Sequence, residues 1–148
     1  MEIFKNTHEW LAEAKPTKPK FSDIRKWINE ELDEFEEAVL NNNINEMYDA
    51  VIDANIFLAN ISYAYSLSPN ILSRYANAIH ESNLTKFCKS EAEAIETVQA
   101  YKSGTHPNKP GTKLEAAFRV GNDNWIVYNV ADNKILKSIN FEDTQKFI

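Results

Sequence analysis

Apolar residues recur at intervals of three and four through most of the chain, which is the spacing of amphipathic helices. Serine or asparagine stands at most of the predicted helix starts, where its side chain caps free backbone N–H groups; these residues are Ser22, Asn43, Ser68 and Ser90. A basic segment with two prolines, at 15–20, ends the first helix. The predicted helices cover residues 2–14, 22–41, 43–65, 68–87 and 90–101.

The C-terminal part of the chain has a different pattern. After a loop at 105–112 that contains prolines and glycine, β-branched and aromatic residues form short runs separated by turn residues. We expect strands at 117–120, 125–130 and 134–138, followed by a last helical turn. Such a meander is too small to be stable alone. The predicted fold is mainly α: a single domain over 1–148, with four to five helices over 1–103 and a small antiparallel β-meander over 113–148.

Composition indicates a globular protein and narrows its partners. The 148 residues are 43% hydrophobic and 26% charged, with a net charge of −6. This charge argues against polymeric nucleic acid and anionic membranes as partners. The single cysteine, Cys88, excludes an internal disulfide and a cysteine-based zinc site. Because the chain also lacks a signal-peptide pattern and a long apolar run, we expect it in the cytoplasm.

Two groups of acidic residues stand out on the second and third predicted helices. Within each group the spacing is three or four, which places the carboxylates on one helix face. The short run Asn41–Asn43 joins the two helices and makes them antiparallel neighbours. Converging carboxylates repel one another unless a cation holds them. The candidate metal ligands are Glu31, Glu34, Glu46 and Asp49, with Glu30 and Asp53 as further candidates.

Simpler interpretations exist for these acids. Runs of charge are usually solvated helix faces, as expected for Asp33, Glu36 and Glu37. Glu46 also occupies the third position after Asn43, where a carboxylate can pair with the helix cap. Asp53 favours the metal interpretation, because it interrupts an otherwise apolar helix and a buried aspartate requires a partner. Ligands that are all carboxylate oxygens select Mg²⁺ or Mn²⁺.

The motif Glu30-Glu31-x-x-Glu34, followed by Glu46-x-x-Asp49, resembles the signature of the all-α nucleoside triphosphate pyrophosphohydrolases. That superfamily includes MazG-like enzymes, dimeric dUTPases and phosphoribosyl-ATP pyrophosphohydrolases. The segment 79–87, Ile-His-Glu-Ser-Asn-Leu-Thr-Lys-Phe, resembles the VHxSNMSK motif of phage-type members. The resemblance covers roughly residues 20 to 90, and the tail at 134–138 is also similar to those relatives.

The resemblance implies a Mg²⁺-dependent hydrolase that converts a (deoxy)nucleoside triphosphate and water into the monophosphate and pyrophosphate. Glu31, Glu34, Glu46 and Asp49 would be the catalytic metal ligands, and Asn83 and Lys86 would hold phosphate or ribose. A homodimer or homotetramer is implied, and the apolar third helix also favours an interface. The phage-type similarity favours a substrate from a deoxynucleotide pool. The extra basic residues that bind phosphoribosyl-ATP have no counterpart that we can place.

Several alternatives stay open from the sequence. The basic segment can fold over a triphosphate through Lys15, Lys18 or Lys20, or it can be a solvated linker. The base would be selected by aromatic or amide side chains; the candidates are Tyr48, Asn55, Asn60 and Tyr63. Two other functions compete: another Mg²⁺-dependent nucleotide phosphohydrolase, with His80 as an added ligand, and a non-catalytic nucleotide- or partner-binding helical domain.

Overall fold

The computed structural model describes residues 2–14 and 17–148, which form two compact units divided between Ser73 and Arg74. The described part is mainly α with a small antiparallel sheet near the C-terminus, which confirms the predicted fold class. The helices are α1 (Glu2–Ala14), α2 (Phe21–Leu40), α3 (Ile44–Ala64), α4 (Pro69–Leu84) and α5 (Glu91–Ser103). The strands are β1 (Ala116–Val120) and β2 (Trp125–Asn129), and a 3-10 turn covers Thr144–Lys146. The single domain stays a prediction.

The first unit is built around the packing of α2 against α3, with α1 also packed on α3. Asn42 has a positive φ of 53°, a conformation that asparagine tolerates and that reverses the chain between the two helices. Asn43 then caps α3, because its side chain accepts the backbone N–H of Glu46. The turn therefore makes α2 and α3 antiparallel neighbours, as the sequence predicts.

The contact between these helices is formed by small and aromatic side chains. Ala38 on α2 and Ala50 on α3 are buried, and small residues allow helix backbones to approach closely. Ile24 is fully buried, and the rings of Trp27 and Phe57 lie 5.4 Å apart, centroid to centroid. The predicted cap of α2 is wrong: the helix begins at Phe21, so Ser22 lies inside it.

The exposed side of α3 is unusually apolar. Ile44, Val51 and Leu58 follow one another at seven-residue intervals and are 56%, 46% and 44% exposed. Residues seven apart lie on one face of a helix, so these side chains form an apolar stripe along that face. The apolar surface of α3 is therefore incompletely covered in the single chain. No helix among the described residues is long and apolar enough to cross a bilayer.

The second unit packs α5 against the β1–β2 hairpin. The strands pair antiparallel from Ala116 with Asn129 to Val120 with Trp125. Their buried core consists of Cys88, Ala94, Tyr101, Ala116, Val127 and Leu136. The third predicted strand is wrong, because Ile135 makes only an isolated antiparallel bridge to Tyr128. Beyond this bridge the Lys137 N–H donates to the Tyr101 hydroxyl, so it is not available to a strand ladder.

Candidate metal centre and nucleoside cleft

The acidic residues of α2 and α3 meet around Glu31 in the first unit. Burial is the largest cause that raises the pKa of Glu31 above its ordinary value. The negative charges of four neighbours raise this pKa further, in decreasing order Glu34, Asp53, Asp49 and Glu30. Carboxylates influence one another in this way only when they lie close together. The structure thus gathers five acids into one group, the Glu31 cluster, whose members are Glu30, Glu31, Glu34, Asp49 and Asp53.

Little in the described residues neutralises the Glu31 cluster. Lys26 pairs with Glu30 at 3.3 Å, and both side chains are largely exposed. For the other four acids, no ion pair with a described lysine, arginine or histidine is formed. Such exposed pairs contribute little free energy. Within the described part of the chain, no ion pair at Glu31 therefore offsets the repulsion that its acidic neighbours exert on it.

Oxygen donors in the Glu31 cluster match the chemistry of Mg²⁺ or Mn²⁺. Across residues 2–14 and 17–148, no three acidic, histidine or cysteine side chains stand close enough to hold an ion as they are placed. Mg²⁺ binds through one or two protein carboxylates together with substrate phosphates and water. Glu34 and Asp49 are exposed, so their side chains are free to rotate towards an ion. The donor set fits a site completed by its substrate.

Glu46 occupies different surroundings from the other predicted ligands. It lines a cleft of about 430 Å³ at the α2–α3 turn, together with Glu34 and Glu37. Its charge is not among those that raise the pKa of Glu31. The structure therefore associates Glu46 with Glu34 and not with the centre of the cluster.

The capping role considered for Glu46 is only half formed. Its backbone N–H donates to the Asn43 side chain at 3.4 Å. The return bond from the Asn43 N–H to the Glu46 carboxylate is not formed, because that N–H donates to the Ala38 carbonyl at 2.9 Å. The exposed Glu46 carboxylate remains available to a cation.

A second cleft, of about 430 Å³, lies beside Asp53, and we call it the aromatic cleft. Side chains from α1, α2 and α3 line it, and three of them are aromatic: Trp10, Trp27 and Phe57. Asn60 lines the same cleft and is 7% exposed. Its Nδ2 donates to the Ile56 carbonyl at 3.0 Å, which leaves Oδ1 as its acceptor. Aromatic faces with a nearby amide and carboxylate suit a nucleobase and sugar.

The structure separates the four candidates for base recognition. Asn60 lines the aromatic cleft, whereas Tyr48 is 68% exposed on α3. The Asn55 amide donates to the Val51 carbonyl of its own helix at 2.7 Å. Tyr63 packs edge-on against His8, with ring centroids 5.5 Å apart. Sequence reasoning did not predict Trp10 and Trp27 as lining residues, because their apolar spacing is equally typical of a core.

The basic segment is partly described. Lys15, predicted as one of the lysines that can reach a triphosphate, and Pro16 lie outside the described residues. Lys18 donates through Nζ to the Ser66 hydroxyl at 2.8 Å. Lys20 is exposed at the N-cap of α2. Both functions considered for this segment stay predictions.

The residues predicted from the second motif belong to the second unit. Asn83 is exposed in the last turn of α4, and Lys86 is half-buried in the turn that follows. His80 is exposed on α4. The sequence did not predict Lys109 and Lys137 as neighbours of Lys86. In the structure, the charges of Lys86 and Lys109 both lower the pKa of Lys137. These lysines are far apart in sequence, and no local pattern connects them.

Comparisons with known proteins find a partial similarity to a viral protein. No protein-family model matches the chain. No solved structure matches it. The chain is 33% identical over 85 residues to "Uncharacterized protein L479" of Acanthamoeba polyphaga mimivirus, a match that covers 55% of this chain and 33% of that relative. The match thus spans about a third of the length of the curated relative.

Proposed function

We propose that this protein is a Mg²⁺-dependent nucleoside triphosphate pyrophosphohydrolase, which converts a (deoxy)nucleoside triphosphate and water into the monophosphate and pyrophosphate. The observation that carries the proposal is the Glu31 cluster. Its four neighbouring charges raise the pKa of Glu31, and the described chain supplies only Lys26 as an opposing ion-pair partner. Repulsion of this kind persists only where the acids serve a function or where the stability of the surrounding fold outweighs its energetic cost.

Each acid has a part in this proposal. Glu31, Glu34, Asp49 and Asp53 hold the metal ion, and Glu46 joins them through its shared cleft with Glu34. Glu30, which is already paired with Lys26, orients the outer part of the site. A bound Mg²⁺ would supply positive charge that stabilises the phosphate oxygens. It would also lower the pKa of a bound water molecule towards neutrality. Mn²⁺ would substitute because it accepts the same oxygen donors.

The aromatic cleft supports a nucleoside as the other half of the substrate. It is lined by Asp53, so a molecule in the cleft lies next to the acids of the cluster. Trp10, Trp27 and Phe57 offer ring faces for a base, and the Asn60 amide offers an acceptor. Stacking on such rings is worth about 1–3 kcal/mol per base. Asn83 and Lys86 are retained as phosphate or ribose contacts because of the motif resemblance. We place the enzyme in the cytoplasm, acting on a deoxynucleotide pool.

The proposal is tested by product analysis. The wild type is incubated with a panel of ribo- and deoxynucleoside triphosphates in Mg²⁺, in Mn²⁺ and in EDTA. We expect pyrophosphate and monophosphate in the presence of either metal and no release in EDTA. Asp49→Asn should reduce kcat/KM at least about a hundredfold, since a lost metal ligand weakens transition-state binding. Asp33→Asn is the matched control, because Asp33 is exposed on α2 and does not act on the pKa of Glu31.

One observation favours a second function. Because no three ligating side chains of the described residues stand close enough to share an ion, a nucleotide-binding domain without catalysis fits the same cleft. Binding of nucleotide without release of any phosphate product would support this second function. Release of orthophosphate in place of pyrophosphate would instead identify another kind of nucleotide phosphohydrolase.

A further inference from the structure

Three segments of the second unit are tied together by hydrogen bonds. The Ser82 hydroxyl in α4 donates to the Glu142 carbonyl at 2.8 Å, and the Glu142 N–H donates to the Thr85 hydroxyl at 2.9 Å. These bonds hold the tail of the chain against the end of α4. The loop that follows α5 joins the same tail, because His106 Nε2 lies 2.9 Å from the Lys137 carbonyl oxygen.

This arrangement brings together one lysine from each segment: Lys86 after α4, Lys109 in the loop and Lys137 in the tail. Lys137 is half-buried, and its Nζ lies 3.8 Å from the centroid of the Phe141 ring. Burial is the largest cause that lowers the pKa of Lys137. The charge of Lys109 lowers this pKa next, Asp143 raises it, and Lys86 lowers it. The ammonium groups of Lys109 and Lys86 therefore both lie close enough to that of Lys137 to repel it.

The nearby acids do not neutralise this group. Glu142 is paired with Lys146. Asp143 raises the pKa of Lys137, but burial and the two neighbouring lysines together outweigh it. Among the described residues, none of the three lysines forms an ion pair. In a chain with a net charge of −6, such a concentration of positive charge runs against the composition.

We propose that Lys86, Lys109 and Lys137 form a binding site for a polyphosphate group, that of inorganic pyrophosphate or of a nucleoside triphosphate. Lysine ammonium groups bind phosphate as point charges. A compact polyanion matches three converging cations, whereas a long nucleic acid would be repelled by the acidic remainder of the chain. The Asn108 amide, which donates to the Phe141 carbonyl at 3.4 Å, connects the loop to this site. Apart from Lys86, which the proposed function also assigns to the substrate, the site does not depend on the hydrolysis proposed above.

The site is tested by calorimetric titration of the full chain with inorganic pyrophosphate in EDTA. We expect saturable binding that weakens as salt is raised, because exposed charges are screened. Lys86→Met, Lys109→Met and Lys137→Met should each weaken binding at least about fivefold, since charge-assisted contacts are the strong ones. Methionine keeps an apolar stem, and Lys137→Arg, which keeps the charge, should retain binding. Lys134→Met is the matched control, because Lys134 is exposed and lies outside the three-lysine group.

A second measurement does not depend on affinity. In NMR titrations of the lysine side chains, pyrophosphate should raise the pKa of Lys137, because a bound anion favours the charged form. No binding by the wild type would overturn the site. An equal loss in Lys134→Met, or an unchanged pKa of Lys137 at saturation, would also overturn it.

Competition identifies the source of the polyphosphate. If a nucleoside triphosphate displaces pyrophosphate at lower concentration than inorganic tripolyphosphate does, the site accepts the nucleotide. The reverse order identifies an inorganic polyphosphate, and both results support the site. Because these titrations contain no metal ion, failure of the hydrolysis assay leaves their outcome unaffected. A pyrophosphate-releasing enzyme that binds no pyrophosphate in EDTA would refute this site alone.

Discussion

The imidazole ring of His106 stacks on the phenol ring of Tyr101, with centroids 4.3 Å apart and an interplanar angle of 25°. His106 is fully buried, and both ring nitrogens have partners. Nδ1 accepts the Asn108 N–H at 3.2 Å, so Nε2 carries the hydrogen that is donated to the Lys137 carbonyl. This arrangement is that of a neutral ring. Protonation would remove the acceptor and place a positive charge near Lys109 and Lys137.

The buried His106 predicts that stability falls in mild acid. Burial is the main cause that lowers its pKa below the ordinary value of 6.5. The unfolded chain therefore binds this proton at a higher pH than the folded chain does. Its contribution to stability is complete above pH 6.5 and decreases as the pH falls from 6.5 towards the lower, folded pKa. Denaturant titrations at a series of pH values should show this decrease.

Between neutral and mildly acidic pH, the free energy of unfolding should fall less in the variant His106→Gln than in the wild type. A smaller decrease should remain, because burial also lowers the pKa of His8. The exposed His80 provides the matched control, and His80→Gln should keep the wild-type pH dependence. Identical pH dependence in His106→Gln and the wild type would contradict the prediction.

The raised pKa of Glu31 predicts that a bound metal ion stabilises the folded protein. In EDTA the charged Glu31 destabilises the fold, since burial and neighbouring acids disfavour its charge. This penalty is present above the folded pKa and is removed as the pH falls through it, so Glu31 alone favours stability in acid. Saturating Mn²⁺ or Mg²⁺ should raise Tm at neutral pH, because an ion that binds only the folded chain stabilises it.

The variant Glu31→Gln should have a Tm in EDTA equal to or above that of the wild type, because an unfavourable, partly buried charge is removed. Its rise in Tm with metal should be smaller than that of the wild type. Glu36→Gln, on the exposed part of α2, should behave as the wild type does. Thermal melts with and without metal decide the matter, and an undiminished metal effect in Glu31→Gln would exclude this carboxylate as a ligand.

The sequence predicts those parts of the fold and the candidate site that depend on local spacing. Helical periodicity and the asparagine turn place Asp49 and Asp53 opposite Glu31, and the structure brings these three together. Glu46 is only one turn before Asp49, yet this turn moves it towards the loop and the cleft shared with Glu34. Spacing in the sequence defines which helix face a side chain occupies. It does not define which residue of the neighbouring helix that side chain lies beside.

Features formed by distant segments could not be predicted in this way. Trp10 and Trp27 meet at the aromatic cleft only after α1 and α2 both pack on α3. The lysines at 86, 109 and 137 come together through hydrogen bonds of the tail, such as that of Ser82 to Glu142. The third strand is lost for a similar reason, because the Tyr101 hydroxyl accepts the Lys137 N–H. Each of these contacts depends on tertiary packing and not on local pattern.

The apolar stripe on α3 predicts self-association. Ile44, Val51 and Leu58 are each at least 44% exposed on one helix face, and stripes of this kind are commonly covered in symmetric dimers. We expect a homodimer or homotetramer in sedimentation velocity at micromolar concentration. Val51→Lys combined with Leu58→Lys should shift the protein to monomer. Val120→Lys, at an apolar position of β1 that is 73% exposed, should leave the assembly unchanged. A monomeric wild type would refute the prediction.

The aromatic cleft predicts that Trp10 acts in binding and not in chemistry. Trp10 lines the cleft and is 67% exposed, so its replacement should disturb the core little. If a base stacks on this ring, Trp10→Ala should raise the KM for a nucleoside triphosphate about tenfold, since stacking is worth about 1–3 kcal/mol. The value of kcat should change much less, because the ring does not contact the phosphates.

Trp10→Phe keeps an aromatic face and should restore most of the affinity. For inorganic tripolyphosphate, which has no base, the Kd should be the same in Trp10→Ala and the wild type. A fall in kcat with an unchanged KM would show instead that Trp10 positions the catalytic acids, and the cleft would then not be the base site.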